Sequence, residues 1–316
     1  MNNKPLVILT GPTAVGKTSL SIRLAKAIHG EIISADSMQV YRKMNIGTAK
    51  IRYEEMEGVP HHLIDILDPR EEFNVYTFKK LATAAVEDIY SRGSIPIITG
   101  GTGFYIQSVL YDIDFTENSP DTSFRESLYA LAEREGVEAV YRILCDTDPA
   151  YAAGVHANNL KRVIRALEYH EQTGGLMSEH NEEQHEKKSP YTFAYLVLTD
   201  DRERLYERID RRVDQMLEEG LLSEVRELMN EGYTKDLVSM KGLGYKEFID
   251  YFEGKCSYDE AVYILKRDTR HFAKRQLTWF NREKETTMLD WSLYDRDEER
   301  MLACILEILK DKGIIT

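Results

Sequence analysis

The chain has 316 residues, 42% hydrophobic and 30% charged, enough to bury a sizeable core and to build a main domain plus a second module. No uninterrupted apolar run reaches membrane-spanning length, and the opening MNNKPLVILT lacks a basic region followed by a long apolar segment, so a cytoplasmic protein with no membrane association is expected. The net charge of −13 argues against indiscriminate nucleic-acid binding while permitting a local basic face, and the widely spaced Cys145, Cys256 and Cys304 suggest neither a disulfide framework nor a zinc site.

Leu6 to Leu9 is a short apolar run that reads as a buried strand. Thr10 to Thr18 then fits G-x-x-x-x-G-K-[ST] through Gly11, Gly16, Lys17 and Thr18. Glycines let backbone N–H groups turn inward around phosphate, the next helix points its positive end at it, Lys17 adds a cation and the Thr18 hydroxyl suits Mg²⁺. A phosphorylated ligand follows, but not the reaction. Leu20, Leu24, Ala27 and Ile28 make the apolar stripe of the packing helix, and Glu31 to Ala35 reads as a second strand that delivers Asp36 and Ser37 at its C-terminal end. Asp36 is therefore the candidate catalytic carboxylate; a turn or helix-cap role suits it equally well.

Met38 to Lys50 reads as a loop lining the site. His61 and His62 face opposite ways in an extended segment and have no third ligand at useful spacing, so hydrogen-bonding roles are expected rather than metal binding. Val75 to Tyr90 has helical periodicity, Ile95 to Ile98 reads as a strand, and Gly100-Gly101-Thr102-Gly103 follows, either to admit a ligand or simply to turn the chain. No acidic residue ends that strand and no N-K-x-D motif occurs, which disfavours GTPases and motors.

From Glu117 to about Pro190 the composition shifts to helix formers and charge, as expected of a helical insertion. Within it Leu160, Val163, Ile164 and Leu167 form an apolar stripe, with Lys161, Arg162 and Arg165 gathered on the other side as a solvated face or a phosphate-backbone contact. Thr173 to Ser189 has the polar composition of a mobile connection. Tyr191 to Thr199 resumes the strands. The helix from Arg202 to Glu218 places Arg208 and Arg212 one turn apart, to clamp phosphate or to pair with Glu203, Glu207 and Asp210; composition favours pairing. Lys241 to Lys246 is a basic turn, and Asp259 to Arg282 is a long helix carrying Lys266, Arg267, Arg270, Lys274 and Arg275 beside Trp279 and Phe280, a mixture that suits RNA or a docking helix with snorkelling cations. Leu289 to Thr316 reads as a closing strand and helix.

The blocks GPTAVGKT, SADSMQVYRKMNIGTAK, VPHHLIDILDP, ITGGTGFY, NNLKRVIRALE, ERIDRRVDQML, SMKGLGYKE and KRQLTWF, in order over nearly the whole chain, closely resemble bacterial tRNA dimethylallyltransferases, the tRNA isopentenyltransferase family. The resemblance implies an α/β fold: a P-loop kinase-like parallel sheet flanked by helices (residues 1–116 and 190–316) with a mainly helical insertion (117–189) that contacts the tRNA anticodon stem-loop. It implies transfer of a dimethylallyl group from dimethylallyl diphosphate to N6 of adenosine 37 in tRNAs reading codons that begin with U. Gly11, Pro12, Thr13, Ala14, Val15, Gly16, Lys17 and Thr18 would hold the diphosphate, with Thr18 on Mg²⁺; Thr13 and Arg212 would stabilise its oxygens, and Asp36 would accept from the amine. Asp36, Ser37, Met38, Gln39, Thr102, Arg125, Lys161, Arg162, Val163, Ile164, Arg165, Lys241, Gly242, Leu243, Gly244, Tyr245 and Lys246 match positions where the family touches tRNA. No obligate protein partner is expected.

The chemistry agrees with that set. An adenine amine is a poor nucleophile, so rate must come from stabilising the departing diphosphate, a task for Lys17, Arg212, Mg²⁺ and loop N–H groups. Two other readings stay open: an ATP-dependent small-molecule kinase, favoured by the phosphate loop alone, and a nucleotide-gated RNA-binding module without catalysis.

Overall fold

Residues 4–115 and 121–316 are described in the computed structural model. Among them, β1 (Lys4–Thr10), β2 (Gly30–Ser34), β3 (His61–His62), β4 (Ile95–Gly100), β5 (Tyr191–Thr199) and β6 (Thr286–Asp290) form one parallel sheet in the order β3-β2-β4-β1-β5-β6. Its central strands read as continuous apolar runs because both faces are covered; Leu6, Val7, Ile8 and Leu9 have no exposed surface. Helix α1 (Lys17–Ile28) lays Leu20, Leu24 and Ala25 into that core. Because every strand runs the same way, the segments after β1, β2, β4 and β5 emerge at one edge, where open α/β sheets bind ligands.

His61 and His62 pair β3 to β2 and also make side-chain bonds. His61 Nδ1 lies 2.8 Å from the Val59 carbonyl, and His62 Nε2 lies 2.8 Å from the buried Glu31 carboxylate, which Arg92 also holds at the end of α2 (Val75–Ser91). The second glycine turn leads from β4 into α3 (Gly103–Leu110).

The chain divides into two compact units, one running to Leu110 and resuming at Pro190, the other spanning Tyr111–Ser189. Glu117, where the insertion is expected to begin, lies outside the described residues. The second unit is helical: α4 (Ser123–Glu135), α5 (Val137–Thr147), α6 (Pro149–Ala152), α7 (Leu160–Thr173) and α8 (Met177–Glu186). It has its own core, with Leu128, Val140, Leu144, Val163, Ile164 and Leu167 packed together. The stretch expected to be a mobile connection is thus largely the helix α8. Its first turn is tied by the Ser178 amide, which donates to the buried Asp148 carboxylate at 2.9 Å. With no buried residue, α8 lacks the apolar stripe by which helices announce themselves in sequence.

After β5, α9 (Arg202–Glu218) is capped by Asp201, whose carboxylate accepts from the Glu203 and Arg204 amides. It buries Leu205, Ile209 and Val213 and turns its arginines away from that face. Helices α10 (Leu221–Asn230), α11 (Lys246–Phe252) and α12 (Tyr258–Phe280) follow, then β6 and α13 (Glu298–Asp311), which packs Met301, Ile305 and Leu309 into the main core. No helix among the described residues is long and apolar enough to cross a membrane.

Candidate active site

The turn after β1 is fixed by contacts that only particular residues can make. Gly11 has φ +147° and a Cβ there would stand 2.5 Å from the Leu198 carbonyl oxygen of β5, so a side chain is excluded both conformationally and sterically. Gly16, with φ +101°, enters α1 without any side-chain cap, leaving the helix's first N–H groups open to an anion. Two distant residues brace the loop. Trp291 donates its indole N–H to the Val15 carbonyl at 2.8 Å, and the Gln276 side-chain oxygen accepts from the Thr13 amide at 2.9 Å.

A cleft of about 660 Å³ opens over this loop. Thr13, Ala14, Gly16, Lys17 and Thr18 form its floor, Asp36 and Gln39 one wall, Gly100 and Gly101 the turn beside them, and Arg204, Arg208, Arg211 and Arg212 of α9 the opposite wall. Gly11, Pro12 and Val15 are buried behind the floor. The Lys17 ammonium donates to the Gly11 and Pro12 carbonyls at 2.9 and 2.8 Å. Enclosure first, and the neighbouring Arg212 after it, push that ammonium down to about 7, against a smaller opposing pull from Asp36. Arg212 is itself pushed down by burial and by Arg208, with Asp36 opposing.

Composition favoured pairing for Arg208 and Arg212, and the structure corrects this. Asp210 is taken by Arg270 of α12, and no carboxylate lies within ion-pair distance of Arg204, Arg208, Arg211 or Arg212 among the described residues. Cations left without carboxylates around a phosphate-type loop form an anion site, not a structural salt-bridge network. The reading of α12 changes in the same way: Lys266 pairs with Asp214, Arg267 with Asp268 and Arg270 with Asp210, so only Lys274 and Arg275 remain exposed cations.

Asp36 makes the turn weighed for it and also lines the cleft. Its Oδ1 accepts from the Met38 and Gln39 amides at 2.8 and 3.2 Å, an Asx turn, while the carboxylate lines the cleft across from Arg212. Gln39 reaches back to the Thr48 carbonyl at 3.3 Å, and Met38 packs against Gly242. Ser37 is partly exposed beside them. The loop at Asn45, Ile46 and Gly47 is organised by Glu224 of α10, whose carboxylate accepts from all three amides at 2.9, 2.8 and 3.1 Å and from the Tyr245 hydroxyl at 2.7 Å.

Several residues expected at an RNA surface have other work. Tyr245 is fully buried under Gly47 and Gly244 is buried beside it, so within Lys241 to Lys246 the exposed side chains are the two lysines, with Gly242 and Leu243 partly covered. Lys246 stands 3.7 Å from Asp268. Val163 and Ile164 belong to the core of the insertion, leaving Lys161 and Arg162 exposed and Arg165 half-buried on α7. Arg125 donates from Nε to the buried Glu168 at 2.7 Å, joining α4 to α7. The Thr102 amide donates to the Ala35 carbonyl at 3.2 Å and starts α3. Sequence reasoning missed Gln276, Trp291 and Glu224. Gln276 lies within the KRQLTWF block, where the flanking cations and rings carry the stronger sequence signal.

An ammonium near 7 binds anions best while protonated, and a bound diphosphate raises its pKa. Affinity for inorganic diphosphate, measured by calorimetry and divided by that of Lys17→Met to cancel the ligand's own titration, should therefore fall as pH rises through 7, by up to about tenfold per unit. Arg212→Ala should weaken binding throughout and move the break upward. A flat ratio from pH 6 to 9 would remove Lys17 from the anion's surroundings.

The family model described as IPP transferase matches residues 39–283, and that described as isopentenyl transferase matches residues 4–68. The chain is 60% identical over 312 residues to a tRNA dimethylallyltransferase of Lachnoclostridium phytofermentans, covering 99% of each, and 50% identical over 307 residues to one of Alkaliphilus oremlandii, covering 97% of each. Among solved structures it is similar to the full-length tRNA isopentenylpyrophosphate transferase of Bacillus halodurans (44% identity, TM-score 0.73, 98% of each chain). It is also similar to a eukaryotic dimethylallyltransferase acting on tRNA (33% identity, TM-score 0.81, 91% of this chain and 74% of that one). With more than two thirds of its length matched by the family model and whole-length relatives at such identity, the chain belongs to the IPP transferase family, the tRNA isopentenyltransferases.

Proposed function

We infer that the protein transfers a dimethylallyl group from dimethylallyl diphosphate to N6 of adenosine 37 of tRNA, releasing diphosphate. The observation that carries the reading is one cleft in which a phosphate-type loop and arginines that no carboxylate pairs among the described residues stand across from Asp36, while Asp200, also on the lining, is taken by Arg296. The N6 nitrogen attacks the allylic C1, the C1–O bond to diphosphate breaks with its electron pair on oxygen, and the N6 proton passes to Asp36. Lys17, Arg208, Arg212 and the open N–H groups of α1 meet the charge that develops on the leaving group. The Thr13 hydroxyl, which has no partner among the described residues, faces the same oxygens.

The donor set fits Mg²⁺ held mainly by the diphosphate itself. Thr18 lines the cleft, its hydroxyl without a partner among the described residues, and a hard, strongly hydrated ion needs few protein ligands when phosphate oxygens are present. Thr18 would hold it, and the ion would supply further neutralisation of the leaving charge. Adenosine 37 must leave its stack to reach the cleft, at a cost of about a few kcal/mol. The helical insertion, through Lys161 and Arg162, grips the phosphate backbone of the anticodon stem-loop, with Arg165 beside them.

Incubation of the purified protein with unmodified tRNA and either labelled dimethylallyl diphosphate or labelled ATP tests this reading against its rivals. Prenylated tRNA supports it; phosphoryl transfer, or retention of RNA without turnover, would replace it by the kinase or binding-module reading. Asp36→Asn should leave diphosphate binding intact and lower single-turnover transfer by about 10²-fold or more, the usual scale for a proton acceptor; near-normal turnover would take Asp36 out of the mechanism. Lys161→Ala with Arg162→Ala should weaken tRNA binding and flatten its salt dependence by somewhat under one log–log unit per lost contact, about 0.7–0.9, with diphosphate affinity unchanged. Both side chains are exposed, so their removal opens no cavity. Unchanged affinity and slope would make this pair a solvated helix face.

A further inference from the structure

Gln276 is 6% exposed on the face of α12 that also bears Phe272 and Trp279, four residues before it and three after. Both ends of its amide are used. The oxygen accepts from the Thr13 amide of the phosphate loop at 2.9 Å, and the nitrogen donates to the Gly101 carbonyl, also at 2.9 Å. The fit at Gly101 is tight: a Cβ there would stand 2.1 Å from the Gln276 nitrogen. The turn it grips is the one that holds the residue before Asp36. Ala35 donates to the Thr99 carbonyl at 2.7 Å and accepts from the Thr102 amide at 3.2 Å, and a Cβ on Gly100 would lie 2.4 Å from the Ala35 carbonyl. A single uncharged amide therefore joins the loop under the leaving group to the segment that carries the proton acceptor.

We propose that Gln276 is a positioning residue that sets the separation between the bound diphosphate and Asp36, holding the Thr13 hydroxyl and the carboxylate in register for transfer. The proposal rests on the prenyl-transfer reading given above. Its chemistry is specific to a carboxamide, which places a donor and an acceptor on one planar end without charge. An ionised glutamate would keep the bond to the Thr13 amide but face the Gly101 carbonyl with a second acceptor. Methionine, of similar length, would make neither bond. Since a displacement of about 1 Å between reacting groups can cost about 10²-fold in rate, loss of this bridge acts on turnover more than on binding.

The test compares Gln276→Met and Gln276→Glu with the wild-type chain in steady-state prenyl transfer, together with inorganic diphosphate binding and thermal midpoints. Gln276→Met should lower kcat by about 10- to 100-fold while KM for dimethylallyl diphosphate and the affinity for diphosphate move by less than about threefold. Gln276→Glu supplies a signature that a merely structural role lacks. Protonated glutamic acid again presents a donor and an acceptor, so the ratio of its kcat to that of the wild type should climb as pH falls from 8 to 6. Wild-type kcat for Gln276→Met, or a Gln276→Glu ratio that is flat with pH, would overturn the proposal. Wild-type turnover reads the functional assignment separately, so an inactive wild-type chain would sink that assignment and an active one with indifferent variants only this inference.

Discussion

Like charges crowded into a half-enclosed cleft are the constraint around which this molecule is arranged. Burial and the neighbouring Arg212 lower the Lys17 ammonium, burial and the neighbouring Arg208 lower Arg212, and among the described residues no carboxylate pairs with these cations. Such a cluster persists only if the surrounding structure holds it, and the surroundings do so on two sides. The floor is fixed by Gly11 wedged against the Leu198 carbonyl and by the Trp291 and Gln276 bonds to the loop; the wall is fixed by Leu205, Ile209 and Val213, which seat α9 in the core. The repulsion there is relieved when an anion arrives, so the binding energy of an anion is partly prepared by the fold. An acidic protein with a net charge of −13 can still bind polyanionic partners because its unpaired cations are concentrated rather than spread.

The parts of this design that depend on neighbours in sequence were legible in it. The strand, glycine loop and helix from Leu6 to Ile28 follow from period and composition, and so does the delivery of Asp36 at the end of β2, because both are local rules. What escaped is set by pairing across the fold. Nothing near Asp210 reveals that Arg270, sixty residues on, will claim it and so free the arginines of α9. Val163, Ile164 and Tyr245 lie in blocks that resemble RNA-contacting segments, yet the periodicity that makes Val163 and Ile164 part of an apolar stripe already assigned them to a core. Helix α8 escaped because it buries nothing, leaving the polar pattern of a loop.

The parallel sheet separates two duties that a smaller fold would have to merge. β1 lies between β4 and β5, so the phosphate loop is flanked by the Gly101 turn on one side and Asp200 with its partner Arg296 on the other. Side-chain bonds stitch the β1–β4 seam just below the site: the Thr10 hydroxyl donates to the Gly100 carbonyl and the Thr99 hydroxyl to the Leu9 carbonyl, each at 2.7 Å. The ligand-facing turns are thereby anchored at their roots while their tips remain free to meet substrate.

The three braces of the site all come from the second half of the chain. The amides of Asn45, Ile46 and Gly47 wait for Glu224, Thr13 for Gln276, and Val15 for Trp291. A ribosome adds residues from the N-terminus at about 5–20 per second, so the phosphate loop is made many seconds before anything exists to hold it in shape. Nascent chains ending short of Gln276 carry every residue of the loop and neither of its two side-chain braces. The braced form of the loop thus arrives near the end of synthesis, after the helical insertion has had time to form its separate core.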